Sequence, residues 1–260
     1  MNKSFGDLLS DSWNEYKLNF KVIFKLFLYF IILPGIVVLL IQTYGTYKLD
    51  LFNIDSEENP FAVFVENPGY YISSLALSLI AGFLSFLAYV SITCGALKGK
   101  KFSYSEALSE GKKNYWRAIG YIIVVSIFIA LLFLLLIIPG VIFAVYWAFA
   151  YYVFLGEKKG IMDSLKASKN MVKGKWWMTF GYVLLIMLII MAISSVFAIP
   201  SMILGFIYVI GAIGSGQISS SGFAVIQIVG FVFSIAGQLI TTPLMILFMK
   251  NFYFAMSKKK

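Results

Sequence analysis

The residues best suited to chemistry are cations beside aromatic rings, grouped at the ends of apolar stretches. Ammonium groups at the depth of lipid phosphates attract anionic headgroups by about 1 kcal/mol each, and indoles favour the membrane interface. The pattern predicts contact with anionic lipids, but such residues also serve membrane topology alone, and both interpretations stay open. The candidates are Lys112, Lys113, Trp116, Arg117, Lys166, Lys169, Lys173, Lys175, Trp176 and Trp177.

The chain offers little material for catalysis or metal binding. It has no His, and Cys94 is its one cysteine, so an imidazole base, a disulfide and a zinc cluster are excluded. Its acidic segment, residues 45–69, lacks the spacing of a calcium-binding hand and is more typical of a solvated loop. We therefore predict a non-enzymatic protein with no catalytic residue, no metal and no cofactor.

Composition predicts where these residues lie. Hydrophobic residues make up 60% of the 260, and charged residues only 13%, about half the share in soluble domains. The apolar run from Ile119 to Ile138 is long enough to cross a bilayer core of about 30 Å as a helix. The fold class predicted is all-α, a polytopic membrane helix bundle.

Hydropathy and proline positions predict six spans. Pro34 and Gly35 should kink span one, Pro139 and Gly140 should form the turn of a central hairpin, Pro200 should end span five, and Pro243 should kink span six. The conformation of 201–221 is left open as interfacial, re-entrant or part of a neighbouring helix. The predicted spans are 22–44, 71–97, 119–138, 141–155, 176–199 and 223–249.

Ahead of span one, residues 5–21 form an amphipathic pattern. We predict an interfacial helix, which either steers the chain into the membrane or has a role of its own. Its apolar side would carry Phe5, Leu8, Leu9, Trp13, Tyr16 and Phe20, and its polar side Asp7, Asp11, Glu15 and Lys17.

An internal repeat groups the spans into pairs. Trp116 and Pro139 recur as Trp177 and Pro200 at the same offset. We predict a single membrane domain, 1–260, with three parallel units at about 5–97, 104–155 and 161–249. Each would be an amphipathic surface helix followed by a two-span hairpin.

The charges predict the orientation. Of the 21 Lys and Arg residues, all but Lys48 fall on one side of these six spans. By the positive-inside rule that side, with both termini, is cytoplasmic, and the protein lies in the cell membrane. The basicity then needs no nucleic acid partner.

The central hairpin and the helix after it carry a resemblance to a known family. Their pattern resembles the membrane domain of some glycerophosphoryl diester phosphodiesterases and of related six-span prokaryotic proteins. Lys101 to Leu108 and the final TTPLMILFMKNFYFAM are similar too. In those phosphodiesterases catalysis belongs to a separate soluble barrel, so the resemblance implies no activity for this chain. The matching positions are Pro139, Gly140, Glu157, Gly160, Leu165, Ser168, Lys173, Gly174 and Trp176.

These observations favour a lipid-interacting or membrane-organising module whose partners are anionic lipids on the cytoplasmic side and another membrane protein. The alternative is a small-molecule or lipid transporter or export permease, for which Gln42, Gln227 and Gln238 supply the polar groups of the spans. An aromatic run could line an acyl-chain cavity, although packing is favoured; it comprises Tyr146, Trp147, Phe149, Tyr151 and Tyr152.

Overall fold

The computed structural model describes residues 3–48, 67–215 and 220–257, and within these ranges every regular element is a helix. The all-α prediction is confirmed for this part of the chain. A π-helical turn, Leu28–Ile32, separates the first two helices. The α-helices are α1 (Phe5–Phe27), α2 (Leu33–Lys48), α3 (Pro68–Lys98), α4 (Tyr104–Leu135), α5 (Ile137–Tyr146), α6 (Ala150–Gly156), α7 (Ile161–Val172), α8 (Trp176–Ser215) and α9 (Ser220–Ser257).

Six helical stretches of the described residues are long and apolar enough to cross a membrane, which makes this a multi-pass membrane protein. The stretches are Phe5–Lys48, Pro68–Lys98, Tyr104–Leu134, Ile137–Gly156, Trp176–Gly214 and Ser221–Ser257. Their number agrees with the prediction, while their grouping into three hairpins stays a prediction. Most of the predicted acidic loop, residues 49–66, lies outside the described residues.

The chain forms two compact units. The charged unit consists of Met1–Leu26, Leu87–Ile190 and Thr242–Lys260, and the apolar unit consists of Phe27–Phe86 and Met191–Thr241. Lys48 is the one charged residue of the apolar unit among the residues described. Nearly all charged chemistry of the described chain therefore belongs to the charged unit.

Span one was predicted to kink at Pro34. The structure instead has the π-helical turn Leu28–Ile32 just before that proline. The Leu33 N–H donates to the Leu28 carbonyl five residues back, and Pro34 follows as the second residue of α2. Proline has no N–H to give the carbonyl of Phe30, and the Ser85 hydroxyl lies 3.4 Å from that oxygen. The amphipathic segment 5–21 is thus not a separate helix but the start of a helical stretch that runs to Lys48.

The predicted hairpin turn at Pro139 and Gly140 was wrong by three residues. The chain leaves helical geometry at Leu136, with φ −161° and ψ 134°, and both residues lie in the first turn of α5. Proline is tolerated there because a first-turn N–H has no helical acceptor. Glycine is needed because a Cβ at Gly140 would come within 2.7 Å of the Phe133 ring, so Gly140 lets α5 lie against α4.

Two further boundaries correct the predictions. Pro200 does not end a span, since it lies inside α8, which continues to Ser215. The apolar piece 202–213 is therefore helical, and residues 216–219 lie outside the described residues. Pro243 likewise lies inside α9. A membrane helix tolerates an internal proline because neighbouring groups and local adjustment replace the lost hydrogen bond.

The surface helices also differ from the prediction. The second amphipathic segment begins α4 at a capping box, in which Ser103 and Glu106 each bond the other's backbone N–H, and runs on into the apolar stretch. Of the predicted surface segments, only the one ahead of α8 forms a helix of its own in the described part of the chain, namely α7. An amphipathic pattern followed by an apolar one therefore does not mark a break, because one helix can carry both.

The core of the charged unit joins both chain ends to α6 and α7. Phe149 and Phe252 are fully buried, with their rings edge to face at 4.9 Å. On α1 the buried face matches the predicted apolar one only in part: Leu8 and Tyr16 are buried as expected, but Glu15 is buried too, and Trp13 and Phe20 are about 40% exposed. Buried polar groups need partners, and the Glu15 carboxylate has one in the ammonium of Lys250.

Candidate functional site

Three of the predicted lysines share one groove of the charged unit. Its volume is about 630 Å³, and its lining is Tyr146, Lys166, Lys169, Asn170 and Lys173. No acidic side chain is among these residues. We call it the basic groove, and its side chains can attract an anion without a competing carboxylate in the lining.

Helix α7 places these lysines by its periodicity. Lys166 and Lys169 lie on its exposed face, and Lys173, the residue directly after its last turn, is exposed as well. The opposite face buries Leu165, Ser168 and Val172 against the core. Because the apolar face fixes the helix, the three ammonium groups are held on one side of it.

Ser168 fastens α7 to the break between α5 and α6. Its hydroxyl donates to the carbonyl of Tyr146, 2.7 Å away, and accepts from the N–H of Phe149 at 3.2 Å. Backbone groups where a helix is interrupted have no helical partner and must be satisfied otherwise. One hydroxyl thus stabilises the interruption and holds Tyr146 beside the lysines.

Gly174 directs the chain from α7 into α8. Its φ of +80° lies in the left-handed region, where a side chain would be strained. Two hydrogen bonds close the turn, from the N–H of Lys173 to Lys169 and from the N–H of Lys175 to Val172, both to carbonyls. The turn brings Trp176 to α5, where its indole N–H donates to the Ile142 carbonyl at 3.2 Å.

A second, apolar groove adjoins the first. We call it the tryptophan groove; its volume is about 570 Å³. Tyr146 lines both grooves, so a cationic surface and an apolar one meet at a single ring. The lining of the tryptophan groove is Ile137, Ile138, Val141, Ile142, Tyr146, Trp176 and Trp177.

Lys169 stands at the aromatic edge of the basic groove. Its Nζ lies 5.6 Å from the ring centroid of Phe143 and 5.8 Å from that of Tyr146. Both distances are within the range of a cation–π interaction, which holds the ammonium over the ring faces. Lys169 therefore connects the charged lining to the apolar wall.

The other predicted cations lie elsewhere. Lys113 shares Glu110 with Lys98, at 3.3 and 3.1 Å. The guanidinium of Arg117 donates to Asn114 at 3.3 Å and lies 5.0 Å from the Phe154 ring. The remaining members, Lys112, Trp116 and Lys175, are exposed and line neither groove.

Sequence reasoning missed part of the site. Asn170 and the four aliphatic residues of the apolar wall resemble ordinary polar and apolar helix positions and carry no distinctive pattern; the four are Ile137, Ile138, Val141 and Ile142. Of the aromatic run, Phe149 and Tyr152 are buried in the core, which agrees with the packing interpretation. Tyr146 is different, because it faces both grooves. No group of residues that could hold a metal ion occurs in the described ranges.

The apolar unit has a pair of grooves of its own. One, of about 440 Å³, includes Ser234 and Gln238, and the other, of about 340 Å³, includes Gln42 and Gln227. They share part of their lining, including the ring of Phe231. None of the lining residues is charged, and their hydroxyl and amide groups can bond a neutral molecule that carries donors and acceptors.

The comparisons with known proteins give a family and no activity. A family model described as Domain of unknown function (DUF7847) matches residues 68–256. The searches of curated proteins and of solved structures found no match. The resemblance to phosphodiesterase membrane domains is not tested by these results and stays a prediction.

Proposed function

We propose that this chain, which belongs to the DUF7847 family, is a non-enzymatic membrane protein that binds anionic lipids. The lysines of α7 would hold the lipid headgroup. One observation carries the proposal: Lys166, Lys169 and Lys173 line one groove that has no carboxylate in its lining and that adjoins an apolar surface. Each such lysine contributes on the order of 1 kcal/mol toward an anionic leaflet.

The proposal includes a topology. Helix α7 and both termini would lie on the cytoplasmic side of the cell membrane, where anionic lipids set a negative surface potential. In a Cys94→Ala background, a cysteine at Lys101 should react with an impermeant maleimide only in inverted vesicles, and one at Asn67 only in intact cells. The reverse pattern would place the lysines on the wrong side and end the proposal.

The test of lipid binding measures lipid that co-purifies with the protein. We expect mass spectrometry to show enrichment of phosphatidylglycerol over phosphatidylethanolamine, relative to the source membrane. The triple variant Lys166→Gln, Lys169→Gln, Lys173→Gln should lose most of this enrichment, because the headgroup loses its cations.

A matched control removes the same charge elsewhere. The variant Lys17→Gln, Lys21→Gln, Lys101→Gln changes three exposed lysines that do not line the basic groove. It should keep the enrichment. Equal lipid composition in the wild type and in the α7 variant, or equal losses in both variants, would show that this groove does not select lipids.

A second candidate function, transport of a neutral solute, is favoured by the paired grooves of the apolar unit. A glutamine amide has both an oxygen and a nitrogen, so one can bond such a solute while the other bonds the protein. Here the Gln227 Oε1 accepts from Thr43 at 3.2 Å, and the Gln238 Nε2 donates to Ser234 at 3.0 Å. Vesicles containing the protein would then take up glycerol or urea faster than empty vesicles, and Gln238→Leu would slow uptake. Uptake equal to that of empty vesicles would remove this candidate.

A further inference from the structure

We propose that the tryptophan groove holds an acyl chain of the same lipid whose anionic headgroup occupies the basic groove. The ligand is then an anionic phospholipid bound by both its ends, not a free phosphate. The inference rests on the proposed function and adds a second contact to it. Two adjoining surfaces of opposite character, joined at Tyr146, are the feature that carries it.

The two grooves match the layout of a phospholipid. In such a molecule the phosphate and the start of the chain are a few bonds apart, so a binding site must put cations directly beside an apolar surface. Here Tyr146 contributes to both linings, and the Lys169 ammonium lies 5.8 Å from its ring centroid. A free phosphate would use only the lysines and leave the apolar wall unoccupied.

The apolar wall is built from parts that are held in place. The Trp176 ring is fixed by its hydrogen bond to Ile142 and stacks on Phe180, with centroids 5.3 Å apart and planes 5° apart. Trp177 stands at right angles to Trp176, at 4.8 Å, and is 78% exposed. The indoles thus form an aromatic edge against which a chain can lie, with Ile137 and Ile138 also lining the groove.

Charge selects which lipid is held. A zwitterionic headgroup brings its own cation toward three lysines, whereas an anionic one brings only negative charge. The contribution of each lysine corresponds to roughly a fivefold preference. Because a zwitterionic headgroup keeps part of this attraction through its phosphate, we expect a net preference of about tenfold for the groove as a whole. Chain contact alone gives little selectivity, because a chain in the groove and a chain in the bilayer both lie among apolar groups.

The experiment locates the chain directly. The full-length protein is placed in nanodiscs of phosphatidylcholine that contain a small fraction of lipid with a photoreactive diazirine in its acyl chain, carried on either phosphatidylglycerol or phosphatidylcholine. Mass spectrometry then compares cross-links at 137–142 with those at 184–188, a largely exposed apolar stretch of α8 outside the groove. We expect the ratio of cross-links at 137–142 to cross-links at 184–188 to be about tenfold higher with the phosphatidylglycerol probe than with the phosphatidylcholine probe.

Two variants separate the groove from the lysines. The double variant Ile138→Phe, Val141→Phe fills the tryptophan groove. It should reduce cross-linking at Trp176 and Trp177 severalfold and lower the amount of co-purified phosphatidylglycerol, because the lipid loses its second contact, while cross-linking at 184–188 stays as in the wild type. Leu134→Phe is the matched control, since Leu134 is 84% exposed, does not line the groove and should leave all three quantities unchanged.

The outcomes distinguish this inference from the proposed function. If phosphatidylglycerol co-purifies through the α7 lysines but both diazirine lipids give the same ratio, the headgroup site stands and the chain site is overturned. If glycerol phosphate displaces phosphatidylglycerol at a similar concentration, the site binds a free anion and the inference is again overturned. If phosphatidylglycerol is not enriched at all, the proposed function fails as well.

Discussion

The charged unit and the apolar unit are stabilised in different ways. The charged unit has an interior, in which large side chains such as Phe149, Phe248 and Phe252 are fully buried. In the apolar unit most side chains of the described residues are exposed or half-buried, including Leu40 and Phe206. Lipid tails solvate such side chains as well as a protein core does, so helices in the membrane gain little from burying them. The apolar unit therefore does not need a dense interior.

The hydrogen bonds of the two units also differ. In the charged unit, side chains connect residues far apart in sequence, as when Asn251 donates to Ser12 and Tyr253 to Glu157. In the apolar unit, hydroxyls often bond carbonyls of their own helix, as Thr46 does to Gln42. Bonds between residues far apart in sequence occur there too, but those from Thr43 to Gln227 and from Ser85 to Phe30 are longer, at 3.2 and 3.4 Å. We infer that the charged unit specifies which helices meet, and that its candidate site is precise for that reason.

The largest expected effect comes from the buried ion pair of the charged unit. Lys250 Nζ lies 2.5 Å from Glu15 Oε2, with both side chains nearly fully buried. The other oxygen, Oε1, has no hydrogen-bond partner among the described residues. Lys250→Met would leave the carboxylate unpaired, so we expect the free energy of unfolding to fall by about 3–5 kcal/mol, measured by denaturation in detergent.

A compensating variant tests the cause. Adding Glu15→Leu to Lys250→Met removes the stranded charge and should restore most of the stability, because two apolar groups can replace a buried pair. Lys3→Gln, which breaks the exposed pair with Asp11, should cost less than about 1 kcal/mol. A double variant no more stable than Lys250→Met would show that packing, not charge, dominates there.

The second prediction compares one glycine from each unit. A Cβ on Gly111 would overlap the Ser91 hydroxyl and lie 2.8 Å from Ser91 Cα, so α3 and α4 would have to separate. Gly111→Ala should therefore destabilise by about 1–3 kcal/mol. At Gly82 nothing among the described residues lies within 4 Å of the position that a Cβ would take, and Gly82→Ala should be neutral or stabilise by up to about 1 kcal/mol. Thermal midpoints of both variants measure the contrast, and equal shifts would contradict it.

The sequence predicted the helices better than their breaks. An apolar run such as Ile119 to Ile138 can only be satisfied as a helix in lipid, and α4 covers most of it. Leu136, where the helix actually breaks, has no local signal. Pro200, which has the strongest signal, lies in a continuous helix. Breaks depend on tertiary partners such as Ser168, which spacing along the chain does not reveal.

Only part of the candidate site could be predicted, again because spacing along the chain does not reveal tertiary contacts. Lys166 and Lys169 share a helix face and Lys173 follows directly after its last turn, so their spacing alone brings them together. Which other residues meet them depends on the turn at Gly174 and on the path of α5. The buried face of α1 was assigned correctly at Leu8 and Tyr16 but wrongly at Trp13 and Phe20, because apolar residues of a membrane protein face either the core or the lipid. Glu15, placed on the polar side, is in fact an interior residue.

The smallest expected effect is acid sensitivity at Glu157, on the connection between α6 and α7. Lys159 donates to its carboxylate at 2.6 Å and Tyr253 at 2.8 Å. The hydrogen bond from Lys159, aided by that from Tyr253 and opposed by partial burial, holds the pKa of Glu157 below its usual range. A lowered pKa in the folded state means that the stabilisation is present above the usual glutamate pKa and is lost as pH falls through the folded pKa.

The size of this effect is limited by solvent. More than a third of both paired side chains is exposed, so we expect less than about 1 kcal/mol. Unfolding midpoints at about pH 7, 5 and 3 should show wild type above Glu157→Gln at neutral pH, with the gap closing in acid. A gap that persists in acid would mean that Glu157 acts through packing against Tyr253, and that the charged unit does not depend on its ionisation.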